Sequence, residues 1–319
     1  MKKIIKVLAF LGILLAVLAL MKDIYYKPYT RICSWNIEFF GLVDIEDETQ
    51  SYYQEIAKRI KIIDPTIVCI QEVSSIVGAK FLVEYLPEYN LYIDNKIAKE
   101  NQEFFSENTL DTILQELQKK NKGKLINDLL MNCFLVKKNI HVKEFKTIHR
   151  RCVKLTYADP FVKNGENVTI YNFHLPSDYS NNKSEQRKEI LSEIIEKIEN
   201  PISNNVLLCG DFNALKDSYE ISTLLDNNFI DSRDIVQSLS HQKTNAHSVD
   251  MWNTISWEED DYHGNLEGKI ERRIDFFFVS KHLSSHVLGG FTDRTQCLGN
   301  IGDLLGPVSD HCAICLDLS

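Results

Sequence analysis

The chain has 319 residues, is 44% hydrophobic and 25% charged, and carries a net charge of -9. That length and balance suit a globular protein with one large core or two small ones, and no internal repeat or long Pro/Gly/Ser-rich linker divides it. The acidic total argues mildly against tight, non-specific DNA binding by counterion release. It leaves phosphate chemistry open, because a bound divalent cation neutralises an acidic site and an anionic substrate alike.

The N-terminus is different in kind. Lys2, Lys3 and Lys6 precede a charge-free apolar run from Val7 to Met21 that closes on Lys22 and Asp23. A basic head followed by an apolar stretch is the layout of an export signal. Val17-Leu18-Ala19 is a poor cleavage site, and Ile4 and Ile5 bring the run near the roughly 17 to 25 residues of a spanning helix. Residues 1–22 are therefore expected to be a signal peptide or signal anchor, 23–30 a linker and 31–319 the folded domain, exported and either secreted or held at the membrane.

Export raises the disulfide question for the eight cysteines. Cys69, Cys209, Cys312 and Cys315 sit in apolar runs as small core hydrophobes. Cys33, Cys133, Cys152 and Cys297 are the ones left to pair.

From Arg31 strands alternate with helices and long loops. Ile32 to Ile37 reads as a strand, Tyr52 to Ile63 as a helix stopped by Asp64-Pro65, and Thr66 to Ile70 as a buried strand. Phe81 to Leu86 reads as a short helix, and Asp94 to Asn132 as a charged, mostly helical excursion on the surface. Phe134 to Val136, Val153 to Leu155 and Val168 to Leu175 follow as strands. Lys183 to Glu199 spaces Ile190, Leu191, Ile194, Ile195 and Ile198 along one helical face. The run Val206 to Leu208 is a strand, Ser218 to Asn227 a helix, His241 to Gly268 a polar loop, and Ile274 to Val279 and Ala313 to Leu318 the closing strands. Strands outnumber helices, which fits two sheets flanked by helices.

Several of these strands end in, or are interrupted by, residues suited to phosphate or metal work. Asn36 follows Trp35, with Glu38 on the same side; Glu72 follows Ile70-Gln71; His174 shares a strand face with Asn172. Asp211 and Asn213 follow the Val206 strand across Gly210, and Asp310-His311 precede the last strand. Each has a plain alternative as a turn residue or a satisfied core histidine. Asp275 is harder to dismiss, because a carboxylate between Ile274 and Phe276-Phe277-Phe278 is costly unless a histidine or another partner meets it. As a set the residues suit phosphodiester hydrolysis, which needs a cation, an activated water and donors for the phosphate oxygens. Glu72, Asp310 and Asn36 offer hard oxygen ligands, and His174 and His311 offer proton transfer near neutral pH.

The segments Ser34-Trp35-Asn36-Ile37-Glu38, Ile70-Gln71-Glu72-Val73, Asn172-Phe173-His174-Leu175, Gly210-Asp211-Phe212-Asn213-Ala214, Arg273-Ile274-Asp275-Phe276 and Ser309-Asp310-His311 resemble, in order, the endonuclease/exonuclease/phosphatase superfamily. The resemblance implies an α/β four-layered sandwich, two mixed β-sheets packed face to face with helices outside. It implies Mg²⁺ or Mn²⁺ dependence, with Glu72 as principal metal ligand, Asn36 and Asp310 close by and Glu38 in support, and it leaves a structural Ca²⁺ open. It further implies that Asp211 orients or activates water, Asn213 binds phosphate, His311 contacts the scissile phosphate with Asp275 behind it, and His174 is the second catalytic imidazole. Trp35 to Gly41 and Phe173 to Asp178 are most similar to pancreatic-type deoxyribonucleases, in which an arginine near the phosphate would match Arg150 or Arg151 and Asn172 would lie beside the substrate.

The expected function is an exported, metal-dependent nuclease with DNA as its substrate. The alternatives are a sphingomyelinase-like phosphodiesterase on lipid head groups, with the membrane as partner, and a non-catalytic binding module. Exposed Trp252 and Trp257 would favour lipid, whereas a basic groove of Arg150, Arg151, Arg272 and Arg273 would favour nucleic acid.

Overall fold

The structure is a computed structural model that describes residues 29–40, 47–74, 76–97, 130–162, 165–177, 183–242, 273–293 and 311–319. Glu38 contributes backbone only, and Asp310, Arg272, Trp252, Trp257 and Cys297 lie outside the described residues, as does the excursion between 98 and 129. Among the described residues no helix is long and apolar enough to cross a membrane, and residues 1–28 are not among them.

Twelve described strands form two six-stranded sheets. The first contains β1 (Thr30–Phe40), β2 (Ile67–Val73), β3 (Tyr89–Tyr92), β4 (Met131–Lys137), β11 (Val287–Asp293) and β12 (Ala313–Leu318), in the order β11-β12-β1-β2-β4-β3. The second contains β5 (Val142–His149), β6 (Cys152–Ala158), β7 (Asn167–His174), β8 (Asn205–Asp211), β9 (Phe229–Asp231) and β10 (Asp275–Ser280), in the order β5-β6-β7-β8-β10-β9. Each sheet has one parallel pair at its centre, β1 with β2 and β7 with β8, flanked by antiparallel neighbours.

Period-two alternation sorts the side chains into layers. Ile32, Ile67, Cys69, Phe134, Ile170, Leu207, Phe277 and Ile314 form the core between the sheets. On the far side of the first sheet, Cys33, Trp35, Val68 and Ile70 pack against Ile56 and Ile60 of α1 (Asp47–Ile63) and Ala79 and Leu82 of α2 (Ile76–Glu84). On the far side of the second, Tyr171, Phe173, Leu208, Phe276 and Phe278 meet Leu191 and Ile194 of α3 (Lys183–Ile195) and Ile221 and Leu224 of α4 (Tyr219–Asp226). This is the four-layered α/β sandwich with two mixed sheets that the sequence implied.

Several details differ from expectation. Strand β1 already opens at Thr30, which donates its hydroxyl to the buried Asp159 at 3.0 Å. The strands β3, β5, β9 and β11 and the helix α5 (Ser232–Gln242) were not read from the sequence, and His241 belongs to that helix rather than to a loop. Asn132 is part of β4, not of a helical excursion.

The cysteines also need correction. Cys312 is disulfide-bonded, whereas Cys33, Cys133 and Cys152 are free and buried. β1 and β4 flank β2, which puts Cys33 and Cys133 about two strand spacings, ~9.5 Å, apart and beyond disulfide reach. Cys152 lies in the other sheet's outer layer.

Candidate active site

The site sits where the two parallel pairs end. Asn36 on β1, Glu72 on β2, His174 on β7 and Asp211 on β8 all lie at or near the carboxyl ends of those strands. β10 runs antiparallel to β8 and places Asp275 directly beside Asp211, while His311 enters at the same end just before β12. Five of the six are nearly closed off from solvent, with Glu72 the more open.

Local backbone explains two of these positions. Gly210 adopts φ +128°, and a Cβ there would stand 2.0 Å from the Phe173 carbonyl oxygen, so only glycine lets β8 run this close to β7 before Asp211. Glu72 is a non-glycine residue at φ 60°. Such backbone costs roughly 1–3 kcal/mol, and here it falls on a residue the chemistry needs. Asn213, at φ 47°, tolerates the same region more easily.

Two carboxylates converge on one amide. Asn36 donates Nδ2 to Glu72 Oε1 and to Asp211 Oδ2, each at 3.0 Å. His174 Nε2 lies 3.3 Å from Glu72 Oε1 and 3.9 Å from Asp211 Oδ2, and His311 Nε2 lies 3.8 Å from the same Asp211 oxygen. Asn213 completes the cage, donating its backbone N–H to Asp211 Oδ1 at 2.8 Å and Nδ2 to Asp211 Oδ2 at 3.0 Å. Its Nδ2 also reaches the Leu175 carbonyl at 2.9 Å, joining the turn after His174 to the turn after Asp211.

The two imidazoles are held from behind by opposite means. His311 directs Nδ1 at Asp275 Oδ2 over 2.8 Å, and a carboxylate accepts, so that nitrogen carries a proton. Arg151 brings a guanidinium nitrogen to 3.4 Å from His174 Nδ1, and a guanidinium only donates. His174 therefore keeps its proton on Nε2, facing Glu72.

The carboxylates diverge in acidity. Burial pushes Glu72 up, but His174, Asn36 and His311 outweigh it and bring its pKa down to about 2. Burial pushes Asp211 up, His311 and His174 pull it down, Asp275 pushes it up, and the balance lies above the ordinary value at about 6. Two groups of mutually close donor atoms result, Glu72 with His174 and Asp211, and Asp211 with Asp275 and His311. Paired carboxylate oxygens beside the Asn36 amide fit a hard divalent cation, which would lower the repulsion between the two acids. Glu72, Asp211 and Asn36 are the residues that would hold it.

The predicted substrate contacts lie elsewhere. Asn172 is fully buried, and its amide hydrogen-bonds Ile70, Cys133 and Gln71 of the opposite sheet, so it is a brace between sheets and not a substrate ligand. Arg151 is buried against His174 instead of lining an open groove, and Arg150 is half-buried at the β5–β6 turn. Arg273 is buried too; it makes a bidentate pair with Asp231 at 2.5 and 2.6 Å and lies over Phe276, so it contributes nothing to a basic groove. Sequence reasoning missed Gln71, Asn132 and the buried Arg187–Glu220 pair. The one available signal was Asn132, a polar residue interrupting the apolar run from Leu129 to Val136.

These sheets and this convergence of side chains define a class, the two-sheet sandwich that carries a phosphoester-hydrolase site at one end. The Endonuclease/Exonuclease/phosphatase family model matches residues 33–311, and the chain belongs to that family.

No curated protein matches the chain. Truncated TDP2 of Caenorhabditis elegans is 19% identical with a TM-score of 0.57, covering 91% of this chain and 97% of its own. TDP2 of D. rerio, solved with a single-strand DNA product, is 15% identical with a TM-score of 0.57, over 92% and 100%. The human Nocturnin catalytic domain, solved with a sulfate anion, is 16% identical with a TM-score of 0.56, over 92% and 93%. At these identities the likeness is one of fold.

Proposed function

We propose that this protein is an exported, Mg²⁺- or Mn²⁺-dependent phosphodiesterase whose substrate is nucleic acid, with DNA foremost. The observation that carries the reading is Asp211. A single buried carboxylate stands within 4 Å of both imidazole Nε2 atoms and accepts from both Asn36 and Asn213. That places a base where an attacking water can be oriented, with the His174 Nε2–H on one side and the bare His311 Nε2 on the other. His174 Nε2–H is the donor available to a non-bridging phosphate oxygen, whereas the Asn213 hydrogens are spent on Asp211 and the Leu175 carbonyl and hold the base in place. His311, backed by Asp275, presents its unprotonated Nε2 to Asp211, so it can take up the proton that this base removes from water and pass it to the leaving oxygen. When bound, the cation supplies neutralisation of the phosphate charge.

Two further points support the finer reading. The fold neighbour from D. rerio was solved with a single-strand DNA product, and the segments around Trp35 and His174 are similar to pancreatic-type deoxyribonucleases. A disulfide at Cys312 suits an oxidising compartment, in keeping with the apolar N-terminal run and a membrane or secreted location.

The test is to incubate the purified protein with plasmid DNA and with sphingomyelin, each with Mg²⁺, with EDTA, and with Mn²⁺ added back. Cutting of DNA that EDTA abolishes and either metal restores is the expected result. Activity on sphingomyelin alone would move the substrate to lipid head groups, and undiminished activity in EDTA would remove the metal.

A further inference from the structure

β2 carries a defect at the point where it delivers Glu72. Ile70 pairs with Cys133 and Val73 with Met131, so Gln71 and Glu72 together oppose the single residue Asn132. Two residues against one is a β-bulge, which bends a strand and re-aims its side chains. Regular alternation would send Glu72 to the helix side with Val68 and Ile70. The left-handed backbone at Glu72, φ 60°, turns it into the site instead.

Three amides fill the gap. Asn172, from the opposite sheet, donates Nδ2 to the carbonyls of Ile70 and Cys133, each at 3.0 Å. Those two residues are the last regular pair before the bulge. Its Oδ1 accepts from Gln71 Nε2 at 2.6 Å, and its main-chain carbonyl accepts from Asn132 Nδ2 at 3.0 Å. Gln71 and Asn132, the residues on either side of the two-against-one count, are thus both tied to Asn172, and all three are buried. Packing alone would not select this cluster, because a buried amide is costly unless its hydrogen bonds are made.

We propose that Asn172 is a positioning residue. Its side-chain amide, bonded to Gln71 and to the Ile70 and Cys133 carbonyls, holds the β2 bulge in the form that turns the Glu72 carboxylate toward Asn36, His174 and Asp211. Asn172 itself touches neither the cation nor the substrate, yet it sets how well the cation is held. The inference rests on Glu72 being a cation ligand.

The experiment is Mn²⁺ binding to the full chain by titration calorimetry for wild type, Asn172→Leu, which keeps the volume and loses the donors, and Leu207→Ala, a core cavity between the same sheets. Asn172→Leu is expected to weaken Mn²⁺ binding about 10-fold or more. The Mn²⁺ concentration for half-maximal hydrolysis should rise in step, and kcat at saturating Mn²⁺ should stay within about threefold of wild type. Leu207→Ala should lose stability without losing affinity. Wild-type affinity in Asn172→Leu would overturn the proposal and leave Asn172 a plain core brace. Should that variant fail to fold, Gln71→Met removes the bridging donor and is read the same way. Absence of Mn²⁺ binding by wild type would sink the cation reading of the site. The bulge would then be judged from a crystal structure of the variant, where Glu72 still at positive φ and facing Asp211 overturns the proposal.

Discussion

His311 Nδ1 lies 2.8 Å from Asp275 Oδ2, and that contact decides which nitrogen of the ring carries the proton. Asp275 also neighbours Asp211 across β8 and β10, so one carboxylate steadies the imidazole while raising the pKa of the adjacent acid. Asp275→Asn keeps the shape but offers His311 an amide that can present its donor side, and the ring then turns or changes tautomer. The expected result is a fall in kcat of about 10²-fold or more with KM within a few fold. Steady-state kinetics on a DNA substrate check it, and unchanged kcat would remove Asp275 from the mechanism.

The two histidines should be non-equivalent in kind but alike in weight. His174→Ala and His311→Ala are each expected to lower turnover by roughly 10²-fold or more while leaving circular dichroism and the melting transition near wild type. Nitrogen chemical shifts of the metal-free protein should place the His174 proton on Nε2 and the His311 proton on Nδ1. The same tautomer on both rings would contradict the roles assigned to Arg151 and Asp275.

Asp211 and Glu72 give stability opposite pH slopes. Asp211 is raised from 3.8 to about 6, so in that window the folded state binds more protons than the unfolded one and stability declines as pH rises. Glu72 is lowered from 4.5 to about 2, so its contribution is present above 4.5 and is lost as pH falls toward 2. Removing the strained charge with Asp211→Asn should therefore stabilise the metal-free protein at pH 7 by on the order of 1 kcal/mol, and not at pH 4. Urea melts in EDTA at the two pH values decide this. Equal gains at both would mean that the charge of Asp211 is not what the fold resists.

Much of this site was legible because its residues end strands. Asp211 follows an apolar run across a glycine, and Asp275 interrupts three phenylalanines, so each stood out against a pattern with a two-residue period. Glu72 was legible by position only. Alternation alone sends it to the helix layer, and the bulge that reverses it depends on Asn132 and Asn172, which lie far away in sequence. The same blindness misplaced Asn172 itself, since sharing a strand face with His174 does not say which residue reaches the open end. The burial of Arg151 and Arg273, candidates for a basic groove, is hidden because one sequence does not reveal His174 behind the first or Asp231 beside the second. Short edge strands such as β9, with three residues, carry too little pattern to read at all.

Gly210 is expected to tolerate no side chain. A Cβ would stand 2.0 Å from the Phe173 carbonyl oxygen and 2.9 Å from its carbon and nitrogen, all backbone atoms of a central parallel pair, and φ is +128° besides. Gly210→Ala must push β7 from β8 or twist both, at a cost of about 3 kcal/mol or more, judged by comparable backbone strain and overpacking. Thermal melts should show a lowered Tm or little soluble protein. A wild-type melt would mean that the β7–β8 spacing gives way easily, and that the site does not rely on it.

The buried pair Arg187–Glu220 gives the sharpest contrast between single and double changes. Arg187 on α3 donates Nε to Glu220 on α4 at 2.8 Å and a second nitrogen to the Pro176 carbonyl at 3.1 Å, and Ser184 adds its hydroxyl to Glu220 at 3.3 Å. Burial pushes the Glu220 carboxyl up, but Arg187 outweighs it and holds the group below its usual range. Its contribution is therefore present above the ordinary carboxylate range and is lost as pH falls through the lowered value. Removing either partner strands the other charge between two helices, which typically costs about 3–5 kcal/mol, whereas an apolar pair of similar volume is often neutral. Arg187→Met and Glu220→Leu should each unfold at much lower urea than wild type, and the double variant should recover most of the loss. Denaturant titrations of all four proteins measure the coupling, and additive losses in the double variant would show that the pair acts through packing alone.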